Sequence, residues 1–96
     1  MHTIKKNLMA LSQAIPVQVM KETGASNVKL ASTRTLQFDL AKPGLDGTNR
    51  IKVTIEDGKF LLRGYKVEET EILYGVEMDK VADAIKLLST PATTVA

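Results

Sequence analysis

The 96-residue chain contains no cysteine and no tryptophan, and its single histidine is His2. Without cysteine there is neither a disulfide framework nor a thiolate ligand, and one histidine cannot form a histidine cluster. Zinc sites and nucleophilic triads therefore lack their parts. The sequence predicts no catalytic residue, no metal site and no cofactor.

Long hydrophobic runs are also missing. No stretch approaches the roughly 18–20 apolar residues that span a bilayer. The basic start of the chain is followed by an apolar run that Ser12 and Gln13 interrupt, which is not typical of a secretory signal. We expect a cytoplasmic protein with no membrane partner.

The length and the hydrophobic content of 44% are typical of one small domain with its own core. We predict a single α+β domain over residues 1–88, followed by a disordered tail over residues 89–96. The tail has the sequence Ser-Thr-Pro-Ala-Thr-Thr-Val-Ala, in which little can pack against a core.

Helical spacing opens and closes the predicted domain. Four apolar residues recur every three or four positions near the start of the chain: Ile4, Leu8, Leu11 and Ile15. Thr3 is the expected N-cap, and Pro16 ends this helix. Residues 17–23 fit either a second short helix stopped by Gly24 or a strand, and the sequence leaves both open.

A period of two begins after Asn27. Apolar residues of even parity predict one strand face, on either one bent strand or two short strands: Val28, Leu30, Leu36, Phe38 and Leu40. A loop rich in proline and glycine follows at residues 42–49.

The clearest local pattern is a β-hairpin at Asp57-Gly58. These two residues suit the positive-φ positions of a type I′ turn, and alternating strands flank them. The two-residue loop fixes the register. One strand face is then apolar, with Ile51, Val53, Ile55, Phe60 and Leu62. The other face carries Arg50, Lys52, Thr54, Leu61, Arg63 and Tyr65.

The remaining chain predicts one more strand over residues 68–74, broken by Gly75, with Leu73 beside Leu61. A helix stopped by Pro91 follows, and its apolar face comprises Met78, Val81, Ile85 and Leu88. The predicted fold is therefore an N-terminal helical segment, an antiparallel sheet of three to five strands with a central hairpin, and a C-terminal helix. Both helices are expected on one sheet face.

The order helix, three strands, helix resembles that of the double-stranded RNA-binding domain, and residues 79–85 occupy the position of its second helix. That family clamps phosphates with clustered lysines there, whereas this chain has Asp79 and Asp83. The resemblance is one of topology and implies no family membership.

The outer hairpin face holds the candidate binding residues. Arg50, Lys52 and Arg63 lie beside Tyr65, and Lys29 or Arg34 extends this set from a neighbouring strand. An outward Leu61 adds an apolar spot that suits a sheet-mediated dimer.

Charge is unevenly distributed along the chain. Residues 1–35 carry five basic and one acidic side chain, and residues 67–96 carry two and six. We therefore expect a non-catalytic binding or adaptor protein that uses its open sheet face and forms a homodimer or binds another protein. The alternative is a nucleic-acid-binding accessory protein that uses the same basic face.

Overall fold

The computed structural model describes residues 2–66 and 68–90. Three helices and five strands make up the fold: α1 (His2–Ala14), α2 (Val17–Thr23), β1 (Ser26–Ser32), β2 (Thr35–Asp39), β3 (Arg50–Glu56), β4 (Lys59–Tyr65), β5 (Glu69–Val76) and α3 (Val81–Ser89). Short 3₁₀ turns lie at Leu45–Gly47 and Met78–Lys80. No helix in the described ranges is both long and apolar enough to cross a membrane.

The N-terminal segment forms two helices separated by Pro16. Pro16 is extended, at φ −63° and ψ 148°, and Gly24 ends α2 in the left-handed region at φ 65°. The helical prediction for residues 17–23 is thus confirmed over the strand. The helix α1 begins at His2, so Thr3 lies inside its first turn and is not its N-cap.

The five strands form one antiparallel sheet in the order β1-β2-β3-β4-β5. Residues 26–39 form two strands, and the hairpin register is confirmed from Glu56 opposite Lys59 to Arg50 opposite Tyr65. Asp57 has φ 49° and Gly58 has φ 77°, as a type I′ turn requires. The sheet has five strands, whereas the order shared with the double-stranded RNA-binding domain has three.

The fifth strand does not stop at Gly75, as the sequence predicted, but continues to Val76. Gly75 has φ 58° and lies where the β4–β5 pairing shifts its register, between the positions opposite Phe60 and Leu62. The strand therefore passes the glycine by a bulge. Leu73 pairs with Leu62 and packs against the core, so it does not lie beside Leu61 on the opposite face.

All three helices contribute to a core on one face of the sheet, which confirms the predicted layering. The buried members of the core are Leu11, Ala14, Ile15, Val19, Phe38, Leu40, Ile51, Val53, Phe60, Leu62, Val81, Ala84, Ile85 and Leu88. The side chains of Ile4 and Leu8, also predicted to face the core, lie outside the described part.

The loop between β2 and β3 packs closely against the end of α3. A Cβ atom placed on Gly44 would lie 2.1 Å from the carbonyl oxygen of Leu88, so only glycine fits there. In the same last turn of α3, Lys86 forms an ion pair with Glu22 of α2 at 3.6 Å. The helices α2 and α3 are neighbours in the helical layer.

The prediction that two residues of β1 belong to the core is wrong. Val28 is 50% exposed and Leu30 is 41% exposed, and every residue of β1 is exposed. Leu30 pairs with Leu36 and has the parity of the core face, whereas Val28 lies in the register shift between Ser26 and Lys29, and the core cluster includes no residue of β1. The helical layer does not reach this edge of the sheet.

The C-terminal helix begins later than its apolar spacing predicted. Met78 lies in a 3₁₀ turn rather than in α3, and it is 41% exposed. Ser89 is the last residue of α3, so the helix extends one residue into the predicted tail. Residues 91–96, including Pro91, lie outside the described residues.

Candidate functional site on the open sheet face

The sheet face opposite the helices, called here the open face, carries the candidate residues of the hairpin. Strand register aligns four side chains across four adjacent strands. Lys29 pairs with Gln37, Gln37 with Lys52, and Lys52 with Arg63. We call this set the cationic row. Arg34 does not join it, because Arg34 lies in the turn between β1 and β2.

A second row of side chains lies next to the cationic row and contains an ion pair between Arg50 and Asp39. Arg50 Nε donates to Asp39 Oδ1 at 2.7 Å, and Asn27 Nδ2 donates to Asp39 Oδ2 at 2.9 Å. These hydrogen bonds lower the pKa of Asp39, with Arg50 as the largest cause, and the same bond to Asp39 raises the pKa of Arg50. The pair fixes Arg50 in place and offsets its charge.

Tyr65 packs against a lysine of the cationic row. The Lys52 Nζ atom lies 5.0 Å from the centroid of the Tyr65 ring, within the range of a cation–π contact. Both residues are half-buried. The structure therefore brings Arg50, Lys52, Arg63 and Tyr65 together as the sequence predicted, but Lys52 already occupies one face of the ring.

Leu61 is not the exposed apolar spot that the sequence predicted. The register places it on the open face opposite Thr54, yet it is only 4% exposed. It does not belong to the core cluster on the helical side. Beside it, the hydroxyl groups of Thr35 and Thr54 lie 2.8 Å apart in a hydrogen bond. An exposed leucine therefore cannot serve as a docking anchor here.

Gln37 is the site residue that the sequence did not reveal. It is 6% exposed although it is polar and lies on the face without helices. The turn at Asp57-Gly58 fixes only the register of β3 and β4, whereas the ten-residue connection between β2 and β3 leaves their pairing unspecified. Its place between Lys29 and Lys52 follows only from the assembled sheet.

A groove of about 390 Å³ lies at the β1 end of the cationic row. Its lining comes from three strands and comprises Asn27, Val28, Lys29, Gln37, Asp39 and Arg50. Register explains the opening, because the pairing of β1 with β2 shifts between Ser26 and Lys29. Asn27 lies in that bulge, with φ 53°.

The open face offers no apparent metal centre in the part of the chain that the structure describes. In those residues no three acidic, histidine or cysteine side chains lie close enough together to hold an ion. No family model, curated protein or solved structure matches the chain. Function is therefore inferred from the residues of the open face themselves.

Proposed function

We propose that this protein is a non-catalytic binding protein whose open sheet face holds an acidic segment of a protein partner. The cationic row carries this proposal, since it places Lys29, Lys52 and Arg63 on one face of adjacent strands. Neighbouring strands lie about 4.8 Å apart, so the row extends over roughly 15 Å. An extended peptide of about five residues has this length.

The pKa of Asp39, an acidic residue on this face, agrees with a binding role rather than a catalytic one. A general acid or base at neutral pH needs a carboxyl pKa raised toward 7. The pKa of Asp39 is shifted the other way, because Arg50 and Asn27 stabilise its charged form. Asp39 therefore suits a positioning role better than proton transfer. A cytoplasmic location remains a prediction from the sequence.

The local geometry favours a protein partner over nucleic acid. Base stacking needs an open aromatic face, and Lys52 lies over the ring of Tyr65. Phosphate binding gains from each uncompensated cation, and Asp39 offsets the charge of Arg50. A short acidic segment needs no stacking surface, and Lys29, Lys52 and Arg63 of the cationic row supply its counter-charges.

Fluorescence anisotropy with a labelled ten-residue peptide rich in glutamate tests the proposal at about 50 mM salt, where electrostatic attraction is weakly screened. We expect wild type to bind and Lys52→Glu/Arg63→Glu to lose binding while remaining folded. The matched control is Lys6→Glu/Lys21→Glu, which makes the same charge change on exposed residues of α1 and α2.

Two results would overturn the proposal: no binding by wild type, or equal loss in the control variant, which would reduce the effect to net charge. Single-stranded and duplex oligonucleotides are titrated in parallel. Tighter binding to either of them than to the peptide would support the nucleic-acid alternative instead, with a salt dependence that reports the number of phosphates contacted.

We further propose that the protein forms a homodimer, through the edge of β1. Leu61 no longer supports association, but β1 is an outer strand with Val28 and Leu30 exposed. Such edges pair readily with a second strand. Light scattering at high micromolar concentration should give twice the monomer mass for wild type and the monomer mass for Val28→Glu. A monomeric wild type, or an unchanged mass in the variant, contradicts the dimer.

A further inference from the structure

The groove at the β1 end of the cationic row has a polar floor. Gln37 lines it and is 6% exposed. In the described part of the chain, every fully enclosed side-chain nitrogen and oxygen has a hydrogen-bond partner. The Gln37 amide forms none of the side-chain hydrogen bonds found there, so its polar atoms face the groove rather than the protein interior.

One wall of the groove is already fixed. Asn27 and Arg50 each donate to a different oxygen of Asp39, which holds the three side chains as a unit. The pair uses the Nε–H of Arg50, which is one of five N–H groups on a guanidinium. Both oxygens of Asp39 thus already accept a hydrogen bond. The positive charge of Arg50 offsets the repulsion between this carboxylate and an incoming anion.

A lysine lies beside the floor of the groove. Lys29 and Lys52 are the register partners of Gln37 on β1 and β3, about 4.8 Å away on either side. Lys29 lines the groove together with Gln37, whereas Lys52 is outside the lining and its ammonium lies over the Tyr65 ring. A carboxylate suits the groove, because it accepts hydrogen bonds and carries the opposite charge.

We propose that this groove binds the carboxylate side chain of one aspartate or glutamate in the acidic partner segment, with Gln37 as hydrogen-bond donor and Lys29 as counter-charge. This inference rests on the proposed function and adds to it a specificity site. The rest of the cationic row then contributes attraction along the segment, whereas the groove selects the position of one acidic residue.

The first experiment measures peptide affinity for Gln37→Leu, which removes the amide but keeps a similar volume. We expect affinity to fall about tenfold, as the loss of one hydrogen bond to a charged group implies. Thr54→Val is the matched control, a polar-to-apolar change on the same face outside the groove lining, and it should bind like wild type. Thermal melts establish that both variants fold.

The second experiment replaces each glutamate of the peptide with glutamine in turn. One position should weaken binding to wild type but not to Gln37→Leu, because the two changes remove the same contact. If Gln37→Leu binds like wild type while Lys52→Glu/Arg63→Glu does not bind, the groove inference is wrong and the cationic face stands. If wild type binds no acidic peptide, both proposals fail.

The third experiment tests the ligand chemistry without the partner segment. Isotope-edited NMR follows the side-chain amide of Gln37 during titration with glutarate, inorganic phosphate and glutaramide. We expect glutarate to shift this resonance and the neutral diamide not to do so. An equal response to phosphate would show a general anion site and overturn the assignment to a carboxylate.

Discussion

Strands β1 and β4 share an alternating apolar pattern but lie in opposite environments. Phe60 and Leu62 of β4 are 1% and 0% exposed, whereas Val28 and Leu30 of β1 are 50% and 41% exposed. The helix α3 contacts β4 and β5, and α1 contacts β3. Alternation thus specifies which face a residue takes, and the reach of the helices decides whether that face is covered.

The largest expected effect tests this contrast directly. Leu62→Ala should lower the free energy of unfolding by about 2–5 kcal/mol, because it leaves a cavity in the core. Leu30→Ala, the same change at an exposed position, should cost less than about 1 kcal/mol. Urea denaturation of the two variants measures both. Equal losses would mean that β1 is covered after all.

Leu61 sharpens the comparison within a single strand. It lies next to Leu62 but on the open face, and its burial predicts a loss of about 2 kcal/mol on Leu61→Ala, at the low end for buried leucine. The same urea denaturation compares it with Leu30→Ala. A loss as small as that of Leu30→Ala would show that Leu61 is exposed in solution.

The turn that joins β3 to β4 should give a smaller effect. Gly58 has φ 77° and nothing within 4 Å of an added Cβ, so only the backbone conformation opposes a side chain. Gly58→Val should cost about 1–2 kcal/mol, since a β-branched residue is strained at positive φ. Thermal unfolding of Gly58→Asn, which tolerates this conformation, provides the control. Similar losses in both variants would contradict a steric cause.

The smallest effect concerns Asp39, in the half of the sheet near β1. Its pKa lies below the ordinary value of 3.8, because Arg50 and Asn27 bond its charged form. The stabilisation is therefore fully present only well above the ordinary pKa of 3.8, and it is lost as the pH falls through the lowered pKa. The stability difference between wild type and Asp39→Asn should shrink over that range in acid denaturation. A constant difference would exclude the carboxylate charge as its cause.

Local chemistry made the hairpin predictable, and long-range assembly made other features unpredictable. The residues Asp57-Gly58 specify their own turn. The sequence therefore predicted correctly that Lys52 and Arg63 lie opposite each other on adjacent strands. Gln37 pairs with Lys52 across a ten-residue connection that fixes no register, and the hairpin register places Leu61 on the open face without revealing that it is buried. The candidate surface was therefore predictable as a set of cations, but neither its packed apolar member nor its groove was.

The simple strand order has a consequence for how the chain folds during synthesis. Each strand pairs with its neighbour in sequence, so the hairpins can form as they leave the ribosome, with little loop-closure entropy. The helical layer is different, because α2 contacts α3 across nearly the whole chain. Until α3 emerges, Phe60 and Leu62 lack part of their cover. The nascent sheet thus passes through an interval in which its apolar face is open to aggregation or to chaperones.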